Sequence, residues 1–297
     1  MLTGRWRAML QLREKIRLAR MSIPLVLVLV LAMILPTYVS LAFYPTAIVE
    51  PSRAISNTLP AENPLLSLLM KKQAPIEEAT LTFFDVGHGD CALVEYAGKV
   101  VMVDAATAQA CRDKVTPRLK QKGISRIDTL IITHSHPDHI GGLPELRKEF
   151  EMGEIIQSGT TVRDFFAVID PEEELRLYAD ENDRSLITAF NIHGEMVLIF
   201  GDNEFYSQNE FCEKFLEYRW SGERWERKSL KVKVLKYPHH GVHDYPLFED
   251  IEAESVVISC GTEVLWWNAP TTVIKQYEGV GSKVYWTARN GDVGITF

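Results

Sequence analysis

The apolar, β-branched run Ile127-Asp128-Thr129-Leu130-Ile131-Ile132-Thr133 leads straight into His134-Ser135-His136-Pro137-Asp138-His139, and Gly141-Gly142 follows. The run reads as a buried strand and the paired glycines as a sharp change of direction, so the order is strand, tight loop, new element. A loop at the end of a buried strand points several side chains at one spot. Three of the chain's eight histidines and one carboxylate fall within these six positions, a density that packing does not explain. His134 and His136 stand two apart, share a face and can chelate one ion. Asp138 and His139 are placed to hold a second. Imidazole and carboxylate donors together suit zinc, manganese or iron.

His-x-His-x-Asp-His after a strand resembles the signature of the metallo-β-lactamase fold superfamily. Other segments are similar to the hydrolase domain of the ComEC competence proteins, in the same order. They are Phe84-Asp85-Val86-Gly87-His88-Gly89-Asp90, Asn182-Asp183-Arg184-Ser185-Leu186, Phe200-Gly201-Asp202, Tyr237-Pro238-His239-His240-Gly241 and Thr287-Ala288-Arg289-Asn290-Gly291. The resemblance covers about residues 78–297 and leaves out the multi-pass channel region of those proteins. It implies a four-layered αβ/βα sandwich with the site at one edge, and two divalent metal ions, zinc or manganese. His134 and His136 would serve the first ion and Asp138 and His139 the second, with Asp202 as the bridge. His240, 38 residues after Asp202, would complete the second ion, or His239 in exchange with it.

The implied chemistry is hydrolysis. Two close divalent ions acidify a shared water for in-line attack on phosphorus or on a carbonyl. Asp138 would orient the nucleophile, and His239, His243 or His88 would protonate the leaving group. Asp85 and Asp104 read equally as carboxylates that orient ligating imidazoles and as caps of loop ends. One superfamily histidine is missing: between residues 140 and 201 only His193 occurs. Asn191-Ile192-His193-Gly194 reads as a hairpin turn, so the first ion would take an oxygen from Asn182, Ser185 or water instead. His88 and Asn268-Ala269-Pro270 also depart from the branch, which usually has Gln and often has Gly-His-Pro there.

About 220 residues follow position 78, and a hydrophobic share of 46% with 24% charged residues is ordinary for one globular domain with a full core. The chain before it differs. Residues 1–20 carry Arg5, Arg7, Arg13, Lys15, Arg17 and Arg20, and residues 21–43 carry no charge. That length spans a bilayer as a helix, and the basic flank sets the N-terminus inside with the domain outside the cytoplasm. A cleaved signal peptide is the rival, with Ser40-Leu41-Ala42 as the cleavage region, although the basic segment is long for one. Residues 44–77, with Pro45, Pro51, Pro60, Pro64 and Pro75, read as a linker with a short helix near Leu65 to Lys72.

The formal net charge is −8; residues 1–43 hold six basic residues and one acidic, which leaves 26 against 39, or −13, beyond them. An acidic domain disfavours non-specific nucleic-acid binding without excluding a local basic strip. Cys91, Cys111, Cys212 and Cys260 fit no zinc ribbon; export would permit one disulfide, and the runs around Cys91 and Cys260 read as core. The leading expectation is thus a membrane-tethered, extracytoplasmic hydrolase of a phosphoester-containing substrate. Amide or thioester hydrolysis is the second reading, and a non-catalytic component of a DNA-uptake or envelope assembly the third.

Overall fold

The computed structural model describes residues 63–71, 78–171, 180–220, 225–242, 247–262 and 270–297. The basic segment 1–20, the uncharged span 21–43, most of the 44–77 linker, His243 and Asn268-Ala269 lie outside them. Among the described residues no helix is long and apolar enough to cross a membrane.

Two sheets carry the described chain. In the first, β1 (Thr80–Phe83), β2 (Ala92–Tyr96), β3 (Lys99–Val103), β4 (Arg126–Ile131) and β5 (Glu151–Ile156) join β15 (Val293–Thr296) in the order β15-β1-β2-β3-β4-β5. The second is built from β6 (Thr161–Val162), β7 (Phe166–Ile169), β8 (Ile187–Ile192), β9 (Glu195–Phe200), β12 (Leu230–Lys236), β13 (Ile251–Ile258) and β14 (Lys283–Trp286), ordered β14-β13-β12-β9-β8-β7-β6. β10 (Tyr218–Trp220) and β11 (Trp225–Arg227) pair as a separate ribbon.

Alternation along each strand sends neighbours to opposite faces, and here both faces are covered. Val94, Val101 and Ile131 of the first sheet meet Val197, Val234 and Val257 of the second in a core between the sheets. Their neighbours Leu93, Met102 and Leu130 face outward into a second core. Leu198, Leu235 and Val256 face outward from the second sheet into a third. Helix, sheet, sheet, helix is therefore the layering.

The helices close the outer cores. α1 (Pro64–Leu69) is capped by Asn63, whose carbonyl oxygen accepts the Leu65 and Leu66 N–H groups at 3.0 and 3.2 Å. It buries Leu65 and Leu68 against the second sheet, and Asn191 donates to the Leu68 carbonyl at 3.3 Å. The short helix expected inside the linker is thus packed into the body of the domain. Ala108–Ala110, a π turn at Cys111–Val115 and α2 (Thr116–Gln121) run on from one another and cover the first sheet with α3 (Pro137–Ile140) and α4 (Leu143–Glu149). α5 (Phe205–Phe215) and α6 (Thr271–Gly279) cover the second.

The sequence pattern places α5 at Asn209 to Tyr218, and the structure starts it four residues earlier. Asp183 explains the shift: its carboxylate accepts the N–H groups of Glu204 and Ser207 at 2.9 and 3.1 Å. A cap supplied from a distant loop leaves no local signature. All four cysteines are free and buried, so no disulfide forms.

Candidate metal centre

The polar clusters sit at the carboxyl ends of strands, where open α/β sheets bind ligands. β3 and β4 run parallel, as do β9, β12 and β13. Asp104 follows β3, His134 to His139 follow β4, Asp202 follows β9, His239 and His240 follow β12, and Ser259 follows β13. The two sheets meet closely at this edge. A methyl group on Gly201 would come within 2.7 Å of the Thr133 and Ser185 side chains, so only glycine fits before Asp202. Gly89, at φ +130°, lies against the Asp138 carbonyl, which a Cβ would meet at 2.5 Å.

One group comprises Asp138, His139, Asp202 and His240, whose donor atoms all lie within 4.8 Å of one another. His139 Nε2 is 3.2 Å from Asp202 Oδ1, and His240 Nε2 is 3.2 Å from Asp138 Oδ2 and 3.4 Å from Asp202 Oδ2. A second group shares Asp202 and adds His134 and His136. His134 Nε2 is 3.8 Å from Asp202 Oδ2.

The other nitrogen of each buried imidazole is already committed. His139 Nδ1 lies 2.8 Å from Asp104 Oδ2, His240 Nδ1 donates to the Ser259 carbonyl at 2.9 Å, and His134 Nδ1 is 3.1 Å from Thr133 Oγ1. Nε2 of all three, with Asp202 Oδ1, is buried without a hydrogen-bond partner. Buried polar atoms are rarely left so, and four facing one locus are what a metal site presents before its ion.

Charge tells the same story. Burial works against a proton on His240, but Asp202 and Asp138 outweigh it and push the imidazole up to about 10. Burial likewise opposes protonation of His139, yet Asp104 and Asp202 hold it well above its ordinary value. The carboxyls of Asp202 and Asp138 would rise on burial alone; the facing imidazoles hold both below the usual range. His134, by contrast, is brought down to about 4 by burial and by neighbouring His139. Without an ion, protons on two imidazoles neutralise the carboxylates. The donor set fits one or two divalent ions taking their place.

A family model described as the metallo-beta-lactamase superfamily matches residues 84–260, more than half of the chain. The chain belongs to that superfamily. It is similar to competence protein ComA of Neisseria gonorrhoeae, 34% identical over 181 residues that cover 56% of this chain and 24% of that protein. It is also similar to ComE operon protein 3 of Bacillus subtilis, 21% identical over 267 residues, 73% of this chain and 33% of that one. Endoribonuclease ysh1 of Schizosaccharomyces pombe matches at 29% over 135 residues, 40% of this chain and 17% of that one. The chain spans a third or less of each of these relatives. Among solved structures, a metal-dependent hydrolase of the β-lactamase superfamily shares 15% identity at a TM-score of 0.46, covering 73% of this chain and 98% of that one. The competence relatives fit a ComEC-like metallo-β-lactamase domain.

Around this metallo-β-lactamase centre the remaining expected residues fall in different places. His88 stands at the rim, its Nε2 3.4 Å from Asp138 Oδ2 and its ring 4.3 Å from that of His240. His239 Nε2 is 4.0 Å from Asp202 Oδ2, while its Nδ1 is 3.0 Å from Glu204. Asp104 lies 2.8 Å from His139 Nδ1 and accepts the Thr133 N–H and Oγ1–H, each at 2.8 Å. It does so from φ +61°, a left-handed conformation that a non-glycine residue keeps only when its surroundings enforce it.

Asp85 is turned away, accepting the Gly87 N–H at 3.3 Å and facing Lys114 at 3.9 Å, so of its two readings the loop cap is the one observed. Asp90, five residues on, takes the inner place, 3.6 Å from His240 Nδ1 and 3.8 Å from His139 Nδ1. Ser185 Oγ accepts the Asp202 N–H at 3.1 Å, which positions that carboxylate. Asn182 donates to Glu204 at 3.1 Å. His193 sits in the β8–β9 turn at φ +53°, its ring 5.1 Å from that of Tyr96. The six-residue β9 puts about 20 Å of strand between that turn and Asp202.

Sequence reasoning passed over Lys236, which is buried and ion-paired with Asp90. A signal existed: along β12, Lys236 shares parity with Val234, which faces the core between the sheets, whereas Leu235 packs into the outer core.

Proposed function

We propose that this domain is a two-metal hydrolase of phosphoric esters, nuclease-like in its chemistry. His134, His136 and Asp202 hold one ion, and Asp138, His139, Asp202 and His240 hold the other. The observation that carries this reading is that Nε2 of His134, His139 and His240 and Asp202 Oδ1 are buried, make no hydrogen bond, and lie in two donor groups that share Asp202. Two divalent ions held there supply Lewis acidity to a phosphoryl centre and a water acidic enough to attack it.

The chain's own residues do the rest. Asp202 belongs to both donor groups, so it would be shared by two ions bound there. Asp138 faces His240, His139 and His88 and orients the attacking water. His88, 3.4 Å from Asp138, and His239, 4.0 Å from Asp202, are placed to pass a proton to the leaving oxygen. His243 is retained as an alternative donor. Nuclease-like relatives, an endoribonuclease and a ribonuclease Z among them, favour a phosphoester over an amide or thioester. The acidic balance of the domain favours a short or locally bound substrate over non-specific nucleic-acid binding. The basic segment 1–20 and the uncharged span 21–43 support a single anchor with the domain outside the cytoplasm, or secretion after cleavage.

The test is direct. The purified full chain should hydrolyse bis-p-nitrophenyl phosphate in Mn²⁺ or Zn²⁺ and leave nitrocefin intact. Full activity after exhaustive chelation would end the metallohydrolase reading, and nitrocefin turnover without phosphodiester turnover would move lactam chemistry ahead.

A further inference from the structure

The two ion groups are unequal. The His240 side offers four donor residues within mutual reach, whereas the other offers His134, His136 and a shared Asp202 oxygen. Zinc sites ordinarily take four ligands, and three protein ligands leave one position open. The histidine that the superfamily places between the Asp138-His139 pair and Asp202 is absent, and His193 is spent on a distant hairpin against Tyr96. The loop that enters β8 nevertheless brings a charged donor to this side.

We propose that Glu181 is the replacement ligand of the His134–His136 ion. Its Oε2 lies 3.7 Å from His136 Nε2, and its other oxygen accepts a hydrogen bond from Ser135 Oγ, the residue between the two histidines. That bond holds the carboxylate beside His136. His136 and Glu181 are both substantially exposed, 40% and 46%, so both keep the freedom to close on an ion. A ligand held this way makes the first site completed by binding rather than preformed, which gives it the weaker affinity of the two. The neighbours are less well suited. Ser185 Oγ is occupied by the Asp202 N–H, and Asn182 offers a neutral oxygen while its amide nitrogen is tied to Glu204. An anionic oxygen also offsets the ion's charge, which a neutral amide does not.

This inference rests on the two-ion reading above, and metal titration separates the two. Calorimetry and elemental analysis of the full chain in detergent, with Mn²⁺ and with Zn²⁺, should give two ions per wild-type chain of unequal affinity. Glu181→Ala should weaken the looser ion by at least about tenfold, in the range seen when a metal site loses a supporting group, and leave the tighter one within about twofold. Glu181→Gln should fall between. Ser135→Ala, which removes the hydrogen bond but not the carboxylate, should keep both ions. Circular dichroism of each variant confirms the fold. Two ions with unchanged affinities in Glu181→Ala overturn the assignment and leave the two-ion reading standing. Loss in Asn182→Ala instead, or an equal loss in Ser135→Ala, also overturns it. A wild type that binds a single ion removes the two-ion reading itself.

Discussion

Asp104 Oδ2 lies 2.8 Å from His139 Nδ1, and that contact decides which nitrogen of His139 faces the carboxylates of the centre. A carboxylate behind a ligating imidazole holds the ring, fixes the tautomer and makes the outer nitrogen more basic. Asp104→Asn keeps the shape and removes the charge. The expected outcome is about 10–100-fold weaker binding of the tighter ion, the range such partners usually show. Competition with a chelator of known affinity measures it; an unchanged affinity would assign Asp104 to holding Thr133 alone.

Protonation makes the metal-free centre pH-sensitive with a definite sign. His240 has a folded value pushed up to about 10 against an ordinary 6.5. Its stabilising contribution is therefore complete below about 6.5 and is lost as pH rises through about 10. His134, lowered to about 4, acts in the opposite sense, and its contribution is lost as pH falls from about 6.5 through about 4. In a chelator, the melting temperature should fall as pH rises above neutrality. The increment added by Mn²⁺ or Zn²⁺ should grow over the same interval, because fewer protons have to leave when the ion binds. Scanning calorimetry with and without metal checks both trends, and His240→Gln should flatten the first.

Lys236 and Asp90 form a buried ion pair that joins β12 to the loop after β1. Removing one partner strands the other charge, which costs about 3–5 kcal/mol in comparable sites. Lys236→Met should destabilise the domain by that order in urea denaturation. The double variant Asp90→Asn with Lys236→Met should recover more than half of the loss. No recovery would mean that Lys236 acts through its packing rather than its charge.

Asp202 reaches both groups of donors, whereas His193 reaches neither. Asp202→Ala should abolish phosphodiesterase activity and lower the content of both ions, and His193→Ala should leave both intact. Loss of metal in a folded His193→Ala variant would reverse the reading of the missing histidine and favour lactamase-like chemistry.

Residues 1–43 make a separate prediction. Six basic residues precede an uncharged span of bilayer length. A C-terminal fusion to alkaline phosphatase should be active and a fusion to a cytoplasm-dependent fluorescent protein dark. The reverse pattern would place the domain inside.

Much of the candidate centre was legible along the chain because four of its donor residues fall within six positions. His134 to His139 stand together between β4 and the end of α3, and the superfamily resemblance, with its motifs in the same order, supplied Asp202 and His240 after their strands. Buried strands were legible as nearly continuous apolar runs, as in Met196 to Phe200, and the family resemblance supplied their arrangement in a sandwich. Other features depend on residues far apart in sequence. The start of α5 is set by Asp183, 22 positions before Phe205. The choice of Asp90 over Asp85 as the inner carboxylate depends on which way a short loop turns, and both stand in the same motif. The approach of Glu181 to His136 and the pairing of Lys236 with Asp90 exist only because two sheets close on each other, 146 residues apart in the second case. Periodicity and spacing report which face a side chain occupies. Which charge it meets across the interface is decided by packing, where burial makes an unpaired group costly and so selects its partner.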